Sequence, residues 1–226
     1  MVAATYDELA NIARTEGHLD EARAHLDRAL AIKSKADPEP NLVRAAYTEV
    51  SLAQLLLDEG RLEDARAAID DALDIERKRV PTGDPARADA LVVLGNLLVA
   101  ERRPAAAVAP FEEALALIER KAGPNSSSLL DALEGLAGAR SDAGDGARAL
   151  ALAERASSLA TAVKATADIV GAAEFRLAQA RWALGEDRAG DVAAVRALRA
   201  RLAALPYRAD VLPDVDRWLA RVARSK

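Results

Sequence analysis

The residue types that most often carry chemistry are sparse in this sequence and poorly spaced for it. His18 and His25 are the only histidines, and they stand seven positions apart. A metal site on a helix would need a carboxylate or a histidine at i+4 from one of them, on the same face. Both positions hold alanine, so we predict two exposed surface histidines rather than metal ligands. The chain contains no cysteine, which excludes disulfides and thiolate metal sites and favours a reducing compartment.

Acidic pairs offer no better catalytic site. Glu63-Asp64, Asp70-Asp71 and Glu112-Glu113 stand where second helices begin or face solvent, so they are predicted to be solvated charges or helix-dipole partners. The sequence has no glycine-rich phosphate loop, no GxSxG and no HExxH motif. Gly135-Leu136-Ala137-Gly138 is too short to hold a phosphate and lies inside a predicted helix. We therefore predict a non-catalytic protein with no metal and no cofactor.

Amide side chains are the polar feature that recurs. Asn11, Gln54, Asn96 and Gln179 occupy one position of a pattern that repeats about every 42 residues, and Gly138 holds the same position in the remaining copy. Each amide carries a donor and an acceptor, so a row of them can bind the main chain of an extended peptide whatever its side chains. The alternative is that these amides are ordinary exposed polar residues.

The elements that would position these amides are paired helices. From Leu52 to Ile75 two apolar stripes at helical spacing flank Gly60, which can adopt the left-handed conformation that ends a helix. One such hairpin leaves an apolar side uncovered and needs neighbours of its own kind. The chain supplies four more copies of the pattern, which begin at Leu9-Ala10, Leu94-Gly95, Leu136-Ala137 and Leu177-Ala178. The sequence therefore predicts an array of helical hairpins.

These residues resemble the tetratricopeptide-repeat family. Its template of a large residue, Leu, a small residue, a turn Gly and then Ala, a large residue and Ala is matched in order by Tyr6, Leu9, Ala10, Gly17, Ala22, Leu26 and Ala29. The repeat of 41 to 43 residues is longer than the usual ~34 and is similar to the kinesin-light-chain variant. The expected fold class is all-α, a right-handed α-solenoid of five helix-turn-helix repeats plus a C-terminal capping helix.

The predicted organisation is a single array over residues 1–226. Its repeats cover about 3–36, 43–79, 86–121, 128–162 and 169–204, and the capping helix covers about 208–224. Pro38, Pro81 and Pro124 fall between copies, Asn41 is the expected N-cap of the third helix, and one of Ser126 to Ser128 is expected to cap the seventh. The first helix begins without a cap or polar overhang, which predicts that residue 1 begins a piece of a longer array.

The resemblance implies a concave groove lined by the first helix of each hairpin. Its inward positions lie two before, two after and five after the repeat's Leu. The predicted peptide-binding residues are Asn11, Arg14, Tyr47, Gln54, Leu57, Asn96, Val99, Gln179 and Trp182. The same wall offers Asp7, Val50, Val92, Asp131, Glu134, Asp142 and Phe175. Packing between helices is the alternative for Val50, Val92, Leu57 and Val99, and Phe175 and Trp182 alternatively pack against the following helices.

The C-terminal stretch resembles the end of tetratricopeptide arrays attached to bacterial serine/threonine kinases of the myxobacterial type, through its ALG-x-DRA turn and its VDxWLAR helix. No kinase motif is present. The predicted function is a protein–protein interaction scaffold that binds a peptide or partner segment and belongs to a larger bacterial signalling protein. The alternative is a structural or regulatory array that acts through its ends, by self-association or by docking to an attached catalytic (kinase) domain.

Charge and the length of apolar runs indicate which classes of partner and which cellular compartment to expect. The net charge is −5 with both signs interspersed, which argues against a dedicated nucleic-acid surface. The longest apolar run, residues 90–100, is far shorter than the about 20 residues that a membrane span needs, and the N-terminus lacks the order of a signal peptide. We therefore expect a protein or peptide ligand, no nucleic acid, no membrane and a cytoplasmic location.

Overall fold

The computed structural model describes residues 2–35, 38–79, 85–185, 187–205 and 211–224. Across these ranges the chain forms α-helices and no strand. The helices are α1 (Val2–Thr15), α2 (Leu19–Lys35), α3 (Pro38–Asp58), α4 (Leu62–Arg79), α5 (Pro85–Ala100), α6 (Pro104–Ala122), α7 (Leu130–Asp142), α8 (Gly146–Ala162), α9 (Ala167–Leu184), α10 (Arg188–Ala203) and α11 (Leu212–Ala223). The predicted all-α repeat fold is confirmed.

The helices pair as hairpins, and within each of the two compact units neighbouring hairpins pack together. The first helices of the five hairpins are α1, α3, α5, α7 and α9, and the second helices are α2, α4, α6, α8 and α10. The chain divides into two compact units, Met1–Leu117 and Ile118–Lys226. In the first unit α1 packs on α2, α2 on α3, α3 on α4 and α4 on α5. In the second unit α7 packs on α8, α8 on α9, α9 on α10 and α10 on α11.

One turn geometry ends most first helices. Gly17, Gly60, Gly144 and Gly185 all have φ between 74° and 87°. After Gly17, Gly60 and Gly144, the next residue donates its N–H to a carbonyl five residues back, as in the 2.8 Å bond from His18 to Ala13. The third hairpin makes the same turn with Arg102, whose φ is 63°. A residue with a Cβ is strained in this conformation, which explains why the other copies use glycine.

Two predicted helix starts need correction. Asn41 is not an N-cap, because α3 begins at Pro38 and Asn41 lies inside it. The seventh helix is preceded by a short 3₁₀ turn, Ser127–Leu129, which Ser126 caps by accepting from the Ser128 N–H. The α7 helix itself has Leu129 at its N-cap with no side-chain cap bond, so the predicted serine cap of this helix is wrong, and the helix starts later than expected. Pro81 and the expected start of the last helix at 208 lie outside the described residues.

Small residues allow the helices of a hairpin to approach closely. Ala10 and Leu26 are buried in one core cluster, and Ala53 and Ile69 are buried in a second. In the third hairpin Gly95 faces Phe111, whose ring is fully buried. The last helix, α11, buries Val215, Trp218 and Val222 against the fifth hairpin. The repeats therefore keep one backbone arrangement while they exchange side-chain volume across the interface.

Candidate functional site

The first helices of the N-terminal unit form a continuous wall, which we call the first-helix wall. Helix α1 packs beside α3, and α3 packs beside α5. Asn11, Gln54 and Asn96 occupy equivalent positions on these three helices. Asn11 is exposed, and Gln54 and Asn96 are half-buried. The three amides therefore recur at one register along neighbouring helices and are open to solvent.

A hydrogen-bonded network joins two of the amides. Arg14 donates to Asn11 Oδ1 at 3.2 Å and to Asp58 Oδ2 at 2.8 Å. Gln54 Nε2 donates to Asp58 Oδ1 at 3.3 Å. The network links α1 to the end of α3 and fixes which way each amide points. The Asn11 amide N–H groups and the Gln54 carbonyl oxygen take no part in this network. Among the described residues, the Asn96 side chain makes no hydrogen bond.

Sequence reasoning missed Asp58, which holds this network together. It sits at the end of α3, four residues after Gln54, where a helical side chain at i+4 comes within reach. That spacing was the available signal. Arg14 was predicted as a direct peptide contact, but its guanidinium is already paired with Asp58. Arg14 therefore positions the Asn11 amide as well as presenting charge to the wall.

A pocket of about 380 Å³ opens on the same wall. Tyr47, one of the predicted contacts, is 43% exposed at its edge. The pocket is lined by Ala4, Asp7, Lys33, Tyr47, Val50, Ser51 and Asp89. Its walls come from first helices of three hairpins, except for Lys33 of α2. It offers a cavity for one apolar or aromatic side chain beside the amides.

Two of the lining residues, Asp7 and Lys33, form a largely buried ion pair. Lys33 Nζ lies 2.7 Å from Asp7 Oδ2 and also bonds to the Thr48 hydroxyl. Thr48 in turn donates to Asp7 Oδ1 at 2.7 Å. Lys33 is 7% exposed and Thr48 is fully buried. Asp7 was expected on the open wall, but its carboxylate is instead committed to holding α1, α2 and α3 together.

Some aliphatic side chains of the first-helix wall are buried between helices, and others remain partly exposed. Val50 is buried, and Leu57 packs against the second core cluster while remaining partly exposed. Val92 and Val99 are half-buried. The alternative of helix-to-helix packing therefore holds for Val50, whereas Leu57 and Val99 keep surface on the side of Gln54 and Asn96.

In the C-terminal unit an arginine takes the place of the missing amide. A Cβ on Gly138 would lie 3.1 Å from Arg176 Nη1, because the guanidinium of α9 lies across the glycine of α7. Arg176 Nη1 also donates to Gln179 Oε1 at 2.9 Å. Gln179 is therefore oriented by Arg176. Nothing in the repeat pattern signalled this arginine, since its position is not conspicuous in the other copies.

The carboxyl of Glu134 lies near this arginine. Burial raises the pKa of Glu134 to about 7, the nearby positive charge of Arg176 opposes that rise, and Asp131 adds to it. Asp131 and Asp142 are exposed. This part of the second unit therefore has a charge that changes near neutral pH.

A second pocket, of about 300 Å³, lies among α7, α9 and α11. Trp182, a predicted contact, is half-buried at its edge, with Arg188 5.0 Å above its ring. Its ring also meets Trp218 edge-on at 5.8 Å. Phe175 is buried against Trp218, so the packing alternative holds for it. Gln179 and Trp182 line the pocket together with Ala137, Ser141, Asp142, Arg176, Ala180, Ala183, Trp218 and Arg221.

The two histidines both approach the Glu21 carboxylate, His18 at 3.9 Å and His25 at 3.6 Å, but they differ in exposure. His18 is exposed as predicted, but His25 is half-buried with its ring 5.8 Å from Tyr6, so the expectation of an exposed His25 is wrong. The repeat pattern places Tyr6 on α1 opposite α2, which brings the two rings together. The three acidic pairs are exposed. Among the described residues, no three histidine or acidic side chains gather as metal ligands would.

Within the described ranges, no helix combines enough length with enough apolar character to cross a membrane.

Comparison with known proteins agrees with this architecture. A sequence model described as tetratricopeptide repeat matches residues 1–78 and 43–120. No curated protein sequence matches the chain. The crystal structure of BtubC (BKLC) from P. vanneervenii is similar with a TM-score of 0.71 at 19% identity, over 90% of this chain and 83% of that one.

A second similar structure is a putative kinesin light chain from Podosopora anserina with nearly identical TPR-like repeats. Its TM-score is 0.64 at 22% identity, over 88% of this chain and 95% of that one. At these identities the likeness shows the fold. The predicted tetratricopeptide array of the kinesin-light-chain-like type is thereby confirmed.

Proposed function

This chain belongs to the tetratricopeptide-repeat family, and because repeats of that family generally mediate protein–protein interaction, we propose that it is a non-catalytic scaffold that binds an extended peptide along its first-helix wall. The peptide, or an extended segment of a partner protein, would lie across α1, α3 and α5 in the N-terminal unit.

The observation that supports this proposal most is the row of amides at one register. A peptide main chain offers an N–H and a C=O at each residue, and Asn11, Gln54 and Asn96 can each supply the complement. Asp58 and Arg14 hold two of these amides in place before a ligand arrives. Such preorganisation lowers the entropy lost when the peptide binds.

Side-chain selectivity would come from the pocket at Tyr47. An apolar or aromatic side chain of the peptide would enter the cavity between Tyr47 and Val50. Leu57 and Val99 would cover the neighbouring residues with aliphatic surface. In the C-terminal unit, Gln179 and Trp182 would form a separate contact in the second pocket, where Glu134 and Arg176 favour a polar or charged side chain.

The wider setting follows the resemblance of the C-terminal helices to kinase-attached arrays. On that ground we place the chain in a larger cytoplasmic signalling protein of a bacterium, as its interaction module. This part of the proposal concerns where the scaffold works, and the peptide site does not depend on it.

A displayed library of random peptides tests the site directly. We expect the chain to select peptides with one recurrent apolar or aromatic position, and the triple change Asn11→Ala, Gln54→Ala, Asn96→Ala to weaken the selected peptide at least about tenfold. The thermal midpoint should stay within a few degrees, because the amides are open to solvent.

Exposed polar residues on second helices give a matched control. Asp27→Ala with Asp70→Ala removes two exposed carboxylates away from the first-helix wall and should leave binding unchanged. Equal weakening by the control and the amide variant would refute the site. Selected peptides that bind the amide variant as well as the original chain would refute it too.

A further inference from the structure

The two compact units carry net charges of opposite sign. The N-terminal unit, Met1–Leu117, has 14 Lys and Arg against 22 Asp and Glu, a net charge of −8. The C-terminal unit, Ile118–Lys226, has 17 Lys and Arg against 14 Asp and Glu, a net charge of +3. A net positive unit attracts anionic groups and repels cationic ones. This charge indicates which ligands suit the second pocket, of about 300 Å³, in the C-terminal unit.

The polar groups that line the second pocket are mostly hydrogen-bond donors. Arg176 of α9 and Arg221 of α11 contribute guanidinium groups, and Ser141 of α7 contributes a hydroxyl. Gln179 accepts from Arg176 through Oε1 at 2.9 Å, which leaves its amide N–H groups to donate to a ligand. The lining also includes the exposed acid Asp142. Two guanidinium groups, an amide and a hydroxyl together match the acceptor oxygens of an anion.

Glu134 lies close to this arginine although it does not line the pocket. It stands four residues before Gly138 on α7, so the two positions share a helix face. The Arg176 guanidinium lies across Gly138, where an added Cβ would be 3.1 Å from Nη1. Among the described residues, Glu134 forms no ion pair within 4 Å, whereas Arg176 bonds to the neutral Gln179 amide. This is the arrangement expected when the Glu134 carboxyl is protonated.

The protonation state of Glu134 sets how much positive charge the second pocket presents. Burial raises the pKa of Glu134 to about 7, against the opposing charge of Arg176 and with a contribution from Asp131. Below that pH the carboxyl is neutral, and the Arg176 charge is available to a ligand. Above it, the carboxylate compensates the guanidinium and repels a second anion.

The charged groups of α8, which packs on α7 and α9, do not take over this role. Arg148 pairs with Asp145, and Arg155 pairs with Glu119. The third charged side chain of the helix, Glu154, is exposed. All three lie outside the lining of the second pocket. From α9 and α11 the charged groups in the lining are Arg176 and Arg221, so these two arginines supply its positive charge.

We propose that the second pocket binds an anionic side chain of the partner, held by Arg176, Arg221 and the Gln179 amide, and that ionised Glu134 weakens this binding. The anionic group is an oxyanion, either the carboxylate of Asp or Glu or the phosphate of a phosphorylated residue. The inference rests on the second contact of the proposed function and names its ligand class. Because the coupling is reciprocal, the bound anion also favours the protonated form of Glu134.

The chain itself provides the probe for a test. Its only two tryptophans, Trp182 and Trp218, both line the second pocket, so selectively excited tryptophan fluorescence reports on this site. The ligands are blocked Ala-X-Ala tripeptides with Glu, phosphoserine or Gln as X. At about pH 6 we expect a saturable change with an anionic peptide, with a Kd on the order of 1 mM. The Gln peptide should bind at least about threefold more weakly, the scale of one partly exposed charge pair.

The dependence on pH tests the role of Glu134. The Glu peptide stays ionised between about pH 6 and about pH 8, so a change in its affinity reports on the protein. It should bind at least about threefold more tightly at the lower pH. Glu134→Gln should bind it at both pH values as tightly as the original chain does at the lower one. The matched control is Glu154→Gln, which changes an exposed carboxylate of α8 and should keep the pH dependence.

Two arginine variants test the anion contacts. Arg176→Gln should weaken the Glu peptide at least about threefold at the lower pH and remove the pH dependence. Its circular dichroism melt verifies that it folds, because Arg176 is half-buried. Arg221 is exposed, so Arg221→Gln should fold normally and also weaken the peptide.

Three results would overturn the anion site: a Gln peptide that binds as tightly as both anionic peptides, unchanged affinity in both arginine variants, or a pH dependence that survives Glu134→Gln. Binding by one anionic peptide alone supports the site and identifies its ligand as carboxylate or phosphate. The triple amide variant of the first-helix wall should bind the Glu peptide normally, so failure of the anion site and failure of the first-helix wall are distinguishable.

Discussion

Substitutions at Gly95 and Phe111 can test whether a smaller residue on the first helix compensates for a larger one on the second. The backbone arrangement of the hairpin would then stay the same. A Cβ added at Gly95 would lie 2.5 Å from Phe111 Cζ and 2.7 Å from both Cε atoms. Ordinary contacts of a Cβ lie at 3.4–4 Å, so the ring or the helix must move by roughly 1 Å. Phe111 is fully buried, so the side chains packed around its ring restrict how far it can move.

The expected cost of Gly95→Ala is a difference of two terms. Overpacking of a well-packed core costs about 1–3 kcal/mol. Alanine in place of glycine inside a helix returns about 1 kcal/mol. The difference is about 0–2 kcal/mol. Because the clash is with a fully buried ring, we expect the free energy of unfolding to fall by an amount in the upper half of that range in urea denaturation followed by circular dichroism.

The double variant makes the test specific. Phe111→Leu alone leaves a cavity and should cost about 1–2 kcal/mol. Gly95→Ala with Phe111→Leu reproduces the Ala10–Leu26 pair of the first hairpin, both buried there. The double variant should therefore be at least about 1 kcal/mol more stable than the sum of the two single effects predicts.

Gly138→Ala is the matched control. It also lies within a helix, but its Cβ would meet only the flexible end of Arg176. It should be neutral or slightly stabilising. Additive effects in the Gly95–Phe111 pair, or a Gly95→Ala variant as stable as Gly138→Ala, would refute the reasoning.

Three further changes probe the turns and the charges. Arg102→Gly should raise the free energy of unfolding by about 0.5–1 kcal/mol, because glycine tolerates the φ of 63°; a lower thermal midpoint would contradict this. Asp7→Ala should cost about 3–5 kcal/mol in denaturant unfolding, because it leaves Lys33 charged and buried without its carboxylate; a loss under about 1 kcal/mol would contradict it. Glu134 holds its proton up to about pH 7 when folded but releases it near 4.5 when unfolded, so stability falls as the pH rises between these values. Glu134→Gln should remove this fall and gain about 1–3 kcal/mol over the original chain at pH 8 relative to pH 4; parallel stability curves would argue against it.

Much of the fold was readable from the sequence because its signals are local. The 3.6-residue periodicity that marks each helix lies within that helix, and the glycine that ends it lies directly after it. Gly17, Gly60 and Gly144 adopt the positive φ that their positions predicted. The helices α4 and α8 end at residues 79 and 162, where their repeats were predicted to end, for the same reason. Asn41 was misplaced because Pro38 can itself begin a helix, and local sequence does not choose between the two starts.

The sequence predicted the positions of residues on the first-helix wall but not the contacts between them. Repeat register places Asn11, Gln54 and Asn96 on equivalent helix faces. It does not say that Arg14 reaches Asp58 on the next hairpin, 44 residues away. Nor does it predict that the Asp7 carboxylate pairs with Lys33 instead of facing the open wall.

The sequence by itself therefore determined the pairing of the helices, most of their ends and their repeated faces, together with the positions at which the amides recur. Only the tertiary structure decided which polar groups are already paired, that Arg176 fills the space left by Gly138, and that Leu9 and Ile12 are exposed where Leu55 and Leu97 are covered. The physical reason is the separation along the chain of the residues that specify each feature. A helix is specified by residues within a few turns of each other, whereas the partner of a side chain depends on what a distant segment brings within a few ångströms.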